Sequence, residues 1–219
     1  MMINKIKTIV LLLSATLTMF LSLIACSSVN ADENLQPNTL QINLGPVNFF
    51  TEDYDINKVH VVHRIEALTH FADIIDNDTN EVLDTVSCKR YGFRTGHAGP
   101  ISLAHWHNVG GDNKVGVCAD VEVYRHGSFS QFNKLLSYSL QIGTVITPMT
   151  FESKQLKVYS HKGTFPTTRL DYVFHGTLIT KTNVTISTSI DAQLLKAGFN
   201  ASGTNYYRKY FSGSGRFQC

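Results

Sequence analysis

The chain is 219 residues long, 43% hydrophobic and 16% charged, with a formal net charge of only +2 at pH 7. A length of this order suits one domain with a sizeable core. Neither a Walker-type phosphate loop nor a dinucleotide-binding glycine fingerprint occurs, which excludes the nucleotide-dependent classes that those loops mark.

The chain opens with Lys5 and Lys7, followed by an apolar stretch from Ile9 to Phe20 that only Ser14, Thr16 and Thr18 interrupt. It then runs into Leu23-Ile24-Ala25-Cys26, followed by Ser27 and Ser28. A positive start, an apolar run and small residues together predict a signal peptide over residues 1–25. The segment Leu23 to Cys26 resembles the lipobox of bacterial lipoproteins. That resemblance implies acylation of the Cys26 thiol and a membrane anchor, and Ser27 in place of an Asp implies delivery to the outer membrane of the cell envelope. Two alternatives stand beside it. A retained span would need an uninterrupted apolar run of ~20 residues. Cleavage after Val29-Asn30-Ala31 would instead secrete the protein, as a host-directed factor or toxin would be.

Loss of the leader removes Lys5 and Lys7, so the 19 Lys and Arg become 17, equal to the 17 Asp and Glu. The neutral body is segregated: residues 26–84 carry eleven acids and two bases, and residues 85–219 carry fifteen bases and six acids. Either the two parts lie together and their fields cancel, or a basic side faces lipid phosphate or acidic polysaccharide. A nucleic-acid partner is not expected outside the cytoplasm.

Residues 26–39 read as the lipidated Cys26 and a polar tether, and such a segment of about a dozen residues reaches a few tens of Å. Residues 40–219 read as a single β-rich domain. The stretch Val59 to Phe71 fits a strand by alternation, although Ile65, Leu68, Ala72 and Ile75 also fit a helical face. Read as one strand, it puts His60 and His70 on one face and His63 on the other. Asp76-Asn77-Asp78-Thr79-Asn80 between Ile74-Ile75 and Val82-Leu83 predicts a hairpin, as does Gly110-Gly111-Asp112-Asn113-Lys114 between Val109 and Val115.

Between those turns lies the one constellation suited to chemistry, His105-Trp106-His107. In a strand its two imidazoles share a face and could meet one metal ion, while Trp106 takes the opposite face. With Gly99 six residues before His105 and Asp112 five after His107, the segment resembles the first cupin motif, Asp112 taking the place of its Glu. The resemblance implies a metal held by His105, His107 and Asp112, with His97, His126 or His175 as further candidates. Such an N/O set suits iron, copper, manganese or zinc. The position of the motif's second Gly is Ala119, and its second half has no counterpart downstream. The other reading makes both histidines hydrogen-bonded residues near the core. No cofactor is then expected.

With Cys26 acylated, three cysteines remain. A Cys88–Cys118 disulfide is expected first, since its closed loop of ~30 residues would contribute on the order of 3 kcal/mol, with Cys219 as the alternative partner. Further along, Ser128-Phe129-Ser130-Gln131 fits a helix cap ahead of Phe132, Leu135 and Leu136, and Asp191 could cap a second helix over residues 192–197. Alternation along Tyr138 to Ile146, Leu170 to Leu178 and Val184 to Ile190 predicts strands, with turns at Thr147-Pro148 and Lys181-Thr182. The tail Tyr206-Tyr207-Arg208-Lys209-Tyr210-Phe211 interleaves aromatic and basic groups, a composition that suits sugars, anionic polymers or a membrane interface, or else a terminal strand.

Roughly ten strands and one or two short helices point to an all-β fold, an antiparallel β-sandwich or jelly roll. The expected function is an envelope lipoprotein whose β-sandwich binds a glycan, lipid or protein partner without catalysis. A cupin-like metalloprotein on His105 and His107 is the alternative.

Overall fold

Along Leu170, Tyr172, Phe174 and Leu178 the buried side chains alternate with the outward Val173 and His175, and this segment is one strand of a two-sheet sandwich. The computed structural model describes residues 38–92, 96–110, 113–143, 149–181, 198, 200–201 and 206–219. The leader, Cys26 and nearly all of the tether, Asp112, the turn expected at Thr147-Pro148 and Thr182 of the turn expected after it, the strand expected over residues 184–190 and the helix expected over 192–197 lie outside them. The described residues are all β, with no helix, and so none long and apolar enough to cross a membrane.

One sheet is a meander of six sequential strands: β3 (Val59–Glu66), β4 (Thr69–Asp76), β5 (Val82–Arg90), β6 (Ala98–Gly110), β7 (Asn113–His126) and β8 (Phe129–Ile142). Every neighbouring pair is antiparallel. The other sheet has the order β1 (Leu40–Asn43), β2 (Asn48–Thr51), β12 (Tyr206–Gln218), β10 (Arg169–Lys181) and β9 (Thr150–Ser160), with the short β11 (Asn200–Ala201) also paired to β12. The inner faces share one core. Ile74, Val86, Ile101, Leu103, Val117 and Val121 of the meander meet Ile42, Phe49, Leu170, Phe174 and Phe217 of the second sheet. The six-stranded meander makes this a sandwich rather than the jelly roll also considered.

Aromatic rings fit between strands because glycines stand opposite them. Tyr172 is in register with Gly215, Phe174 with Gly213, Gly176 with Phe211, and Trp106 with Gly116. A Cβ built on Gly213 would stand 2.7 Å from Phe174 Cζ, so the ring occupies space that only glycine leaves open.

Three expectations are corrected. The helix expected from Ser128 is strand β8. Register shifts in the β7–β8 ladder at Asp120/Val121 and Glu122/Val123 place Phe132 opposite Val123 and Leu135 opposite Val121. Both side chains therefore turn inward at a spacing of three, which imitates a helical face in the sequence.

The Cys88–Cys118 disulfide is absent, since both cysteines and Cys219 are free thiols. Cys88 is in register with Leu103 and Cys118 with the next residue, Ala104, on opposite sides of the intervening β6. Their side chains leave the sheet on opposite faces and cannot bridge.

The segment Val59 to Phe71 is strand, but in two pieces that fold back at Ala67 and Leu68. Ala67 takes a left-handed φ of 51° there. The reversal changes the parity of the histidines: His63 and His70 share one face and His60 takes the other.

Candidate functional site

The paired histidines of β6 meet a carboxylate from the neighbouring strand. Asp84 of β5 is in register with His107, which lies two residues from His105 on the inner face. Asp84 Oδ2 receives His105 Nε2, and Asp84 Oδ1 lies 2.8 Å from His107 Nδ1. His105 Nδ1 lies 2.6 Å from the hydroxyl of Tyr172, which comes from β10 in the opposite sheet. Tyr54, in the segment linking β2 to β3, lies near enough to Asp84 that burial and the Asp84 carboxylate push its hydroxyl far up. Asp84 and His105 are each 1% exposed.

Burial would raise the Asp84 carboxyl, but its interactions with His105 and His107 hold it well below the usual carboxylate range. Burial and the Asp84 charge push the Tyr172 hydroxyl far up, so it remains protonated and donates. Donation from Tyr172 to His105 Nδ1 leaves Nε2 as the protonated nitrogen facing Asp84. For His107 burial lowers the basicity, and the Asp84 hydrogen bond and charge, assisted by Asp53, reverse that and raise it. Lys209 opposes the rise. Its ammonium is directed inward onto the carbonyl of Val109, and burial lowers its own pKa.

This geometry engages both ring nitrogens of His105 and leaves only Nε2 of His107 outside the network. Among the described residues no three His, Cys, Asp or Glu side chains are placed to hold a metal ion. His97, His126 and His175 are exposed, and His175 lies on the outer face of β10.

Trp106 points the other way, onto the outer face of the meander. Its six-membered ring rests on Gly116 and extends toward Gly143: a Cβ on Gly116 would meet ring atom Cζ3 at 2.6 Å, and one on Gly143 at 3.1 Å. Gln141 is in register with Gly116 and bonds Ser139 Oγ at 2.8 Å. Lys114 runs beside the ring, its ammonium 3.4 Å from Thr85 Oγ1, and forms no ion pair among the described residues. Further along this face, Asp120 accepts hydrogen bonds from Ser102 at 2.5 Å and Ser137 at 2.7 Å.

The aromatic and basic tail is β12, and its alternation separates the groups it contains. Tyr207 packs against the core, Lys209 points inward, and Phe211 is buried. Arg208 takes the outer face and grips Glu152 through Nε at 2.7 and 2.9 Å, while Tyr210 is 65% exposed. Tyr206 opens the strand. The tail therefore does not form one surface.

Sequence reasoning missed Asp84 and Tyr172 as partners of the histidines. The legible signal was Asp84 itself, an acid in the inward phase of a strand that continues with Val86 and Cys88. No family model, no curated protein and no solved structure matches the chain, which leaves its function to be read from these two groups of side chains.

Proposed function

We propose that this protein is a cell-envelope lipoprotein, anchored through Cys26, whose β-sandwich is a binding domain without catalytic activity. The observation that supports the reading most is the contrast between the two faces of β6. Inward, the titratable groups are engaged with one another: Tyr172, His105, Asp84 and His107 form a chain that joins one sheet to the other. Outward, the same strand presents Trp106 beside Gln141 and Ser139, both exposed among the described residues. A buried, mutually satisfied network stabilises a scaffold, whereas a partly exposed aromatic among polar side chains is the composition of a recognition surface.

The anchor is tested by feeding labelled palmitate to cells expressing the full chain. Label is expected on the wild type and absent from Cys26→Ser. The binding role is tested by hydrogen exchange of the full-length Cys26→Ser protein mixed in turn with envelope polysaccharide, phospholipid vesicles and an envelope protein fraction. Protection of a continuous surface by one of them is expected. Unchanged exchange with all three would remove the binding reading.

A further inference from the structure

We propose that the outer face of the meander around Trp106 is a binding site for an acidic saccharide, the ring seating the apolar face of a pyranose and Lys114 receiving a carboxylate on that sugar. This deepens the binding reading above and rests on it.

The first support is the way the ring is held. Trp106 lies on Gly116, so one face of the indole is covered by backbone and the other is directed away from the sheet. A side chain laid flat in this way offers a rigid aromatic plane at little further entropic cost, and the C–H face of a pyranose stacks on such a plane. The second support is the polar surround. Gln141 and Ser139 are exposed on β8, next to the ring, and can donate to and accept from sugar hydroxyls.

The third support is charge. Lys114 forms no ion pair among the described residues, and its alkyl stem already lies against the platform, with its Cβ 3.2 Å from the Cβ position of Gly143. Asp73 shares Thr85 Oγ1 with Lys114 but is itself paired with Arg64 at 3.2 Å, which leaves the Lys114 charge available to a ligand. An ammonium with no ion pair among the described residues, beside an aromatic plane, selects a sugar that carries an anion. The network of His105, Asp84 and His107 is on the other side of the sheet and takes no part.

Trp106 is the only tryptophan in the chain, so its fluorescence reports on the site directly. The full-length Cys26→Ser protein is titrated with oligogalacturonate, oligomannuronate and muramate-containing glycan strands, with maltohexaose as the neutral comparison. A saturable fluorescence change is expected with at least one acidic glycan, at an affinity about tenfold or more above maltohexaose. Lys114→Ala should remove that preference, and Gln141→Ala should weaken binding while leaving the fold intact. Trp106→Phe should keep part of the affinity and Trp106→Ala lose it, as read by calorimetry.

No saturable response to any of the acidic glycans overturns the proposal. So does a response that Lys114→Ala and Trp106→Ala leave unchanged in proteins that still unfold cooperatively. Protection elsewhere on the surface in the exchange experiment, with a silent Trp106, would end the saccharide site and keep the binding reading.

Discussion

Asp84 is the residue on which the interior depends, because it holds both His105 and His107 of β6, and His105 carries the contact on to Tyr172 in the other sheet. Removing one partner of a buried charged pair leaves the others uncompensated, so Asp84→Ala should cost about 3–5 kcal/mol in urea unfolding. Tyr172→Phe removes one hydrogen bond and leaves His105 Nδ1 unsatisfied, which should cost about 1–3 kcal/mol. Equal small losses for both would mean that Asp84 is not the hub.

The same residues fix a pH dependence. Asp84 is held below its ordinary 3.8, so its contribution is present above pH 3.8 and is lost only as pH falls through the folded value. His107 is raised above its ordinary 6.5, so its contribution is complete below pH 6.5 and is lost as pH rises through the folded value. The network is therefore strongest between about pH 4 and 6.5. The urea midpoint should fall between pH 6 and pH 9, and His107→Gln should flatten that fall. A wild-type midpoint that rises over this range would contradict the assignment.

At the level of strands, the legible parts were those where alternation was undisturbed. The inward series Leu170, Tyr172, Phe174 and Leu178 and the hairpin after Asp76 appear as read. What escaped reading was where the ladder slips or turns without a signal residue. Two register shifts gave β8 its false helical spacing, and Ala67, an alanine at positive φ, closes the β3–β4 hairpin without the Gly or Asn that marks such a turn. His105 and His107 were correctly assigned to one face, because parity within a strand is local. Their partner Asp84 was not legible, because it lies 21 residues from His105 and only the β5–β6 register brings it there.

Within β12, Gly213 and Gly215 admit the rings of Phe174 and Tyr172 from β10. A methyl group on Gly213 would come within 2.9 Å of Phe174 Cε1 as well as meeting Cζ, which forces a buried ring to move. Gly213→Ala should therefore destabilise by about 1–3 kcal/mol despite its better strand propensity. Ser212→Ala, on the exposed side of the same strand, should stay within about 0.5 kcal/mol of wild type. A Gly213→Ala protein as stable as wild type would mean that the ring is not confined as described.

On the scale of the molecule, the two sheets close over one core, and the free thiols report whether they open together. Cys88 leaves the inner face of β5 and is fully buried, while Cys219 follows β12 in the other sheet and packs against the same core. Burial pushes both thiols up to about 12, and the charges of the two are close enough to interact. Cys118, on the opposite face of the meander, is half-buried, and burial with the nearby Asp120 raises it as well. In the full-length Cys26→Ser protein at pH 8, Cys118 should be alkylated first, although more slowly than a free thiol. Cys88 should react only as denaturant opens the core, and Cys219, half-buried with its thiol packed against the same core, should follow it. Mass spectrometry of the timed products separates the three sites. A Cys219 that reacts long before Cys88 would mean that the end of β12 opens alone, and a native Cys88 that reacts freely, or is found joined to Cys118, would contradict the packing of the sandwich.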